Sequence, residues 1–198
     1  MTIKVMLDIE TFGTKTKVPL MSIGAVAFDP EKPEKAWDKF YMPISPIGQD
    51  AYGLVIDPST MCWWMDPKRH PPLAEWHNSL KYDLATTLDG FRMWLSDVAT
   101  QNEVKSSEIE VWGNGAGFDN VILGAAYDAV GLERPWKHWM DRCFRTLKNL
   151  APPTLEPFRE GTHHNALADA EHQTRWFFAI VDALGVKAAD LVTPVTTN

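Results

Sequence analysis

Lys4-Val5-Met6-Leu7-Asp8-Ile9-Glu10-Thr11-Phe12-Gly13 reads as a strand that ends in two carboxylates. Side chains along a strand alternate between faces with a period of two. Ile3, Val5, Leu7 and Ile9 therefore share one face, and Met6, Asp8 and Glu10 the other. Asp8 and Glu10 come side by side at the strand's end, where like charges repel unless a cation lies between them. A divalent metal answers that repulsion, because hard cations take carboxylate oxygens. A solvated strand end running into a turn is the plainer reading of an isolated Asp-x-Glu, so the rest of the chain has to decide.

Outward from this strand, Met21 to Phe28 forms a second one, closed by Asp29-Pro30, and Trp37 to Ile44 a third, more polar one. Short links between the three predict an antiparallel meander. Residues 45–82 are irregular and rich in Pro and Trp. Within them Ser59 to Met65 fits a short helix capped by Ser59 between Pro58 and Pro67. Pro71, Pro72 and Trp76 fit another short helix. Leu84, Leu88, Phe91, Leu95 and Val98 keep the stripe of a long helix.

A fourth strand, Ile109 to Trp112, runs into Gly113-Asn114-Gly115-Ala116-Gly117 and a helix through Ala129. These glycines lack the spacing and the Lys-Ser/Thr of a phosphate-binding loop, so a nucleotide cofactor is not expected. They suit close approach of backbone to a substrate or a neighbouring strand. Trp136 to Phe144 predicts a fifth strand. Arg142, Arg145 and Lys148 follow on a basic segment, read as a solvated face. The last helix follows His163-His164-Asn165 and extends to about Leu184; the tail, 186–198, reads as polar and frayed.

Asp119 stands in the first turn of its helix, in register with Ile122, Leu123, Ala126 and Val130. It therefore faces inward, although an acid there also suits the helix dipole. Asp169 does the same on the edge of the apolar arc of the last helix. Four inward carboxylates, Asp8, Glu10, Asp119 and Asp169, would be costly to bury without cations. Two divalent ions would neutralise them in the arrangement used for displacement at phosphorus. His164 is the candidate general base.

The chain has 198 residues and a net charge of -7, with 45% hydrophobic and 23% charged residues. That is ordinary for a globular protein, and its length suits one domain, 1–198. The charge argues against coating long nucleic acid by phosphate neutralisation. Cys62 and Cys143 fit a reducing compartment without zinc spacing, and no leader or membrane span is expected, so the protein is placed in the cytoplasm.

Three motifs carry a resemblance: Asp8-Ile9-Glu10-Thr11, Ala116-Gly117-Phe118-Asp119 and His164-Asn165-Ala166-Leu167-Ala168-Asp169. Together they are similar to the motifs of the DEDDh 3'-5' exonucleases, the DnaQ-like group with a ribonuclease H-like fold. His164 lies five residues before Asp169, as that subgroup requires; Asn165 stands where the other subgroup has a tyrosine. Met21 to Pro30, the Ser59-Thr60-x-x-Trp63-Trp64 patch and Asp141-Arg142-x-x-Arg145-Thr146-Leu147 resemble a compact subfamily with bacterial exoribonuclease and phage exodeoxyribonuclease types.

The resemblance implies an α/β fold with a mixed five-stranded sheet flanked by helices. It implies two Mg or Mn ions held by Asp8, Glu10, Asp119 and Asp169, with His164 taking the proton from the attacking water. The substrate would be a single-stranded 3' end of RNA or DNA, released as nucleoside 5'-monophosphates. Thr11, Phe12 and Gly13 would meet the terminal nucleotide, Phe12 or Phe118 a base, and Trp64 and Arg142 the strand. Members are often dimeric, and Trp176 and Ile180, at the edge of the last helix's apolar arc, predict a homodimer. An Asp-x-Asp phosphatase would need an aspartate in place of Glu10 and leaves His164 idle. A non-catalytic binding module on the same fold is disfavoured because all five catalytic positions are filled.

Overall fold

The computed structural model describes residues 3–35 and 37–185. Its sheet has the order β3-β2-β1-β4-β5, built from β1 (Lys4–Thr11), β2 (Leu20–Phe28), β3 (Asp38–Pro43), β4 (Glu110–Gly113) and β5 (Asp141–Cys143). The first three strands form the antiparallel meander, with Asp8 opposite Gly24 and Glu10 opposite Ser22. β4 joins the other edge of β1 in parallel, and β5 joins β4 in parallel. The helices are α1 (Pro58–Trp64), α2 (His70–Asn78), α3 (Leu84–Gln101), α4 (Asp119–Val130), α5 (Phe144–Lys148) and α6 (Ala166–Leu184).

The alternation of β1 decides what covers each face. Val5, Leu7 and Ile9 face α3 and α4, meeting Phe91 and Leu123 in the larger core. Met6 faces the other way, into a core shared with Phe144 of α5 and with Phe177 and Ile180 of α6. Burying a side chain such as Phe91 or Phe177 contributes about 1.5–3 kcal/mol relative to exposure. Asp8 and Glu10 continue the α6 face of β1 beyond the point where apolar packing ends.

Helix α6 lies very close to the sheet. A Cβ on Gly24 would come within 2.2 Å of the Ala166 carbonyl carbon and the Leu167 nitrogen. Only glycine allows this approach, which carries the first turn of α6 over β2 toward the end of β1. At the other end of β1 Lys4 is fully buried and paired with the equally buried Glu110. Burial pulls the Lys4 ammonium below its ordinary value against the attraction of Glu110.

Several boundaries differ from the sequence expectation. α1 is capped by Asp57, whose Oδ1 accepts from Ser59 N at 2.8 Å and Ser59 Oγ at 2.7 Å. Pro58 lies inside the helix at its first position, where a missing N–H costs nothing. α3 runs three residues further, to Gln101, and β5 is shorter because Trp136 turns inward and donates to Asp141 Oδ1 at 2.7 Å. Ile180 is fully buried, so it offers no surface to a second copy. The tail, 186–198, lies outside the described residues. No helix among the described residues is long and apolar enough to cross a membrane.

Candidate active site

Three chain segments deliver four carboxylates to one place. Asp8 and Glu10 come from the end of β1, Asp119 is the first residue of α4, and Asp169 lies in the first turn of α6. Oxygens of Asp8, Glu10 and Asp169 lie within 4.8 Å of one another. Asp119 stands beside this trio, near the backbone amides of Ile9 and Asn114, which favour its charged form. Its approach to β4 depends on Gly113, where a Cβ would lie 2.9 Å from Asp119 Cβ and 2.4 Å from Asn120 Oδ1. Gln173, one turn after Asp169, donates from Nε2 to Asp8 Oδ1 at 2.9 Å.

The electrostatics are those of a cluster short of positive charge. Burial, then the charges of Asp119, Glu10 and Asp169, push Asp8 well above the usual carboxylate range, with Gln173 opposing. Glu10 is raised by burial and then by Asp169 and Asp119. Asp119 is pushed up to about 7 by burial, against the pull of its backbone donors and Arg145. An oxygen-only donor set of this charge suits hard divalent ions such as Mg or Mn.

His164 sits at the rim with φ 64°, in the left-handed region that non-glycine residues seldom occupy. Its N–H donates to Asp169 Oδ2 at 3.0 Å. Its ring stacks on His163 at 3.9 Å and meets the edge of Trp63 at 4.8 Å. Burial and the neighbouring His163 hold the imidazole below its ordinary value, so it stays neutral and able to accept a proton. Helix α2 fixes this turn: Glu75 accepts from Thr162 Oγ1, and from Asn165 Nδ2 at 3.1 Å. Asn165 in turn caps α6 by accepting from Ala168 N at 3.2 Å.

The cluster lies in a groove of about 820 Å³. Thr11, Gly13 and Phe118 line it. Trp64 lines it too, but only as packed wall: it is 2% exposed and donates from Nε1 to Thr11 O at 3.0 Å. The open ring is Trp63, 37% exposed and covered by the Arg69 guanidinium at 3.9 Å. Phe12 does not reach the groove; it is 4% exposed and packs edge-on against Trp76 at 5.7 Å. Arg142 is also absent from the groove, because it turns to buried Glu110 at 3.1 Å and to the Trp139 carbonyl at 2.8 Å. The cations that do line the groove are Arg145 and Lys148 of α5, and Arg159, which is ion-paired with Asp169. Sequence reading assigned Arg145 and Lys148 to a solvated face and passed over Arg159 and Gln173. Gln173 carried a usable signal, since it lies four residues after Asp169 on the same helix face.

Comparison with known proteins adds to this geometry. The family described as the Rv2179c-like 3'-5' exoribonuclease domain matches residues 3–181. No curated protein matches the sequence significantly. Among solved structures, the nuclease domain of 3'hExo, a DEDDh family member bound to rAMP, superposes with a TM-score of 0.60 at 12% identity, over 91% of this chain and 92% of that one. Cell-death related nuclease 4 gives 0.60 at 12%, over 100% and 73%. Exonuclease I gives 0.59 at 14%, over 96% and 42%. At these identities the likeness shows the ribonuclease H-like fold.

Proposed function

The chain belongs to the Rv2179c-like 3'-5' exoribonuclease domain family, and from that membership we propose that this 3'-5' exonuclease removes nucleoside 5'-monophosphates from single-stranded 3' ends with two divalent ions. The carrying observation is the meeting of Asp8, Glu10 and Asp169 with Asp119 beside them and His164 at the rim. The crowded carboxylates fit a pair of ions, which Asp8, Glu10, Asp119 and Asp169 would hold. When bound, the ions supply Lewis acidity and charge neutralisation for displacement at phosphorus.

The protein's own groups supply the rest of the chemistry. His164, neutral and tied through its backbone to Asp169, takes the proton from the attacking water. Thr11 Oγ1 donates to the Gly13 carbonyl at 2.5 Å, which shapes the end of β1 where the terminal nucleotide enters. Phe118 offers a ring to a base. Arg145 and Lys148 hold phosphates of the incoming strand; they take the role expected of Arg142. RNA is the proposed substrate, in keeping with the family's description, and the cytoplasm the proposed compartment. Of the two residues behind the expected homodimer, Ile180 is core and Trp176 is half-buried, so the homodimer stands as a proposal on the family resemblance and on Trp176.

Matched RNA and DNA oligonucleotides, each labelled at either the 3' or the 5' end, test the reading. Stepwise shortening from the 3' end that stops with chelator is expected. Full activity in excess chelator, or endonucleolytic products, would remove it.

A further inference from the structure

Asp169 has both oxygens occupied. Oδ2 accepts the backbone N–H of His164, and Oδ1 is ion-paired with Nη1 of Arg159. The first partner is part of the turn that positions His164. The second is a side chain, 31% exposed, reaching in from the loop before that turn.

That loop is held independently of Arg159. Glu156 Oε1 lies 3.0 Å from His172 Nε2, and His172 is 1% exposed on α6. On the other side Glu160 lies 3.6 Å from Arg175. The guanidinium can therefore leave Asp169 without its backbone leaving the groove. It would remain beside the carboxylate cluster, where the scissile phosphate must come.

A guanidinium and a divalent ion compete for the same lone pairs of Asp169 Oδ1. A planar fork of N–H donors also matches a phosphate better than a single carboxylate oxygen. On the exonuclease reading above, we infer that Arg159 is a phosphate-binding residue parked on a metal ligand. It holds Asp169 while the site lacks ions, and it turns to the phosphate of the terminal nucleotide when ions take that oxygen. Arg159 thus links metal loading to substrate grip.

The test uses the full chain and two titrations by calorimetry: Mn2+ into metal-free protein, then AMP into protein saturated with Mn2+. Arg159→Gln should bind Mn2+ several-fold more tightly, because its competitor is gone, and AMP about tenfold more weakly, because a charge-assisted contact is lost. Arg159→Lys keeps the charge and loses the fork, and should fall between wild type and the Gln variant in both. Melting curves in chelator check that each variant is folded. Unchanged or weaker Mn2+ binding by folded Arg159→Gln would overturn the inference, and so would tighter Mn2+ binding with unchanged AMP binding. A wild-type protein that binds neither Mn2+ nor AMP would overturn the exonuclease reading, and this inference with it. A wild type that binds both, matched by its Gln variant, would overturn only the role of Arg159.

Discussion

Gln173 reaches across from α6 to hold Asp8, 165 positions away in the chain, through a hydrogen bond of 2.9 Å. It is a neutral side-chain donor to Asp8, whose carboxyl burial and the neighbouring carboxylates push up, and it fixes the rotamer of that residue. Partners of this kind typically cost about 10–100-fold in metal affinity or activity when removed. Gln173→Ala should therefore weaken Mn2+ binding within that range while the melting temperature changes little. Calorimetric titration reads the first and circular dichroism the second.

Asp119 yields a pH prediction for the metal-free protein. Its folded value is pushed up to about 7, above its unfolded value near ~4. The folded state then binds the extra proton across that window, so stability falls as pH rises through it. Melting temperature in chelator should drop between about pH 4 and 7, and saturating Mg should remove much of the slope. Asp119→Asn should reduce the slope without metal, and the share that remains belongs to Asp8 and Glu10, which burial also raises. An unchanged slope in that variant would show that Asp119 does not carry the effect.

The two adjacent histidines should behave differently. His164→Ala leaves all four carboxylates in place, and loss of a general base costs about 10²–10⁴-fold in rate. Metal binding and affinity for an oligonucleotide should survive. His163→Ala should cost far less, since His163 stacks on its neighbour and stands six residues before Asp169, out of register for the base. Turnover and affinity of both variants under the same conditions decide it, and a dead His163 variant beside an active His164 variant would reverse the assignment.

Arg145 and Lys148 should betray themselves in salt dependence. On single strands each lost phosphate contact lowers the slope of log affinity against log salt by about 0.7. Lys148→Gln should weaken binding of a long oligonucleotide with a shallower slope, and leave hydrolysis of a nucleoside 5'-p-nitrophenyl phosphate unchanged. A loss that is equal on both substrates would place the damage in the fold instead.

Gly24 offers a mechanical test. Its added Cβ would meet backbone atoms of α6 at 2.2 Å, which cannot yield as a side chain would. Overpacking of this kind costs about 1–3 kcal/mol. Gly24→Ala should lose that stability in a urea titration and should lose activity beyond it, because Asp169 rides on the displaced helix.

Much of this site was legible in the sequence because it rests on local periodicity. The period of two along β1 separates Val5, Leu7 and Ile9 from Met6, Asp8 and Glu10, and the structure keeps that division. Helical spacing likewise turns Asp119 and Asp169 inward. What escaped depends on meetings between distant segments. Arg142 is drawn off by Glu110, which lies 32 residues away on the neighbouring strand. The choice between Trp63 and Trp64 follows from a hydrogen bond to Thr11, 53 residues distant. The Glu75 clamp on the His164 turn spans 87 to 90 residues, and nothing local marks either partner.

The three sources of the carboxylates have a consequence for biosynthesis. Asp8 and Glu10 leave the ribosome early, Asp119 midway, and Asp169 with Gln173 close to the end of the described chain. Chains fold from the N-terminal side as they emerge. The carboxylate cluster is thus completed last: a nascent or truncated chain ending before α6 lacks Asp169 and Gln173, and it also lacks the Phe177 and Ile180 that pack against Met6.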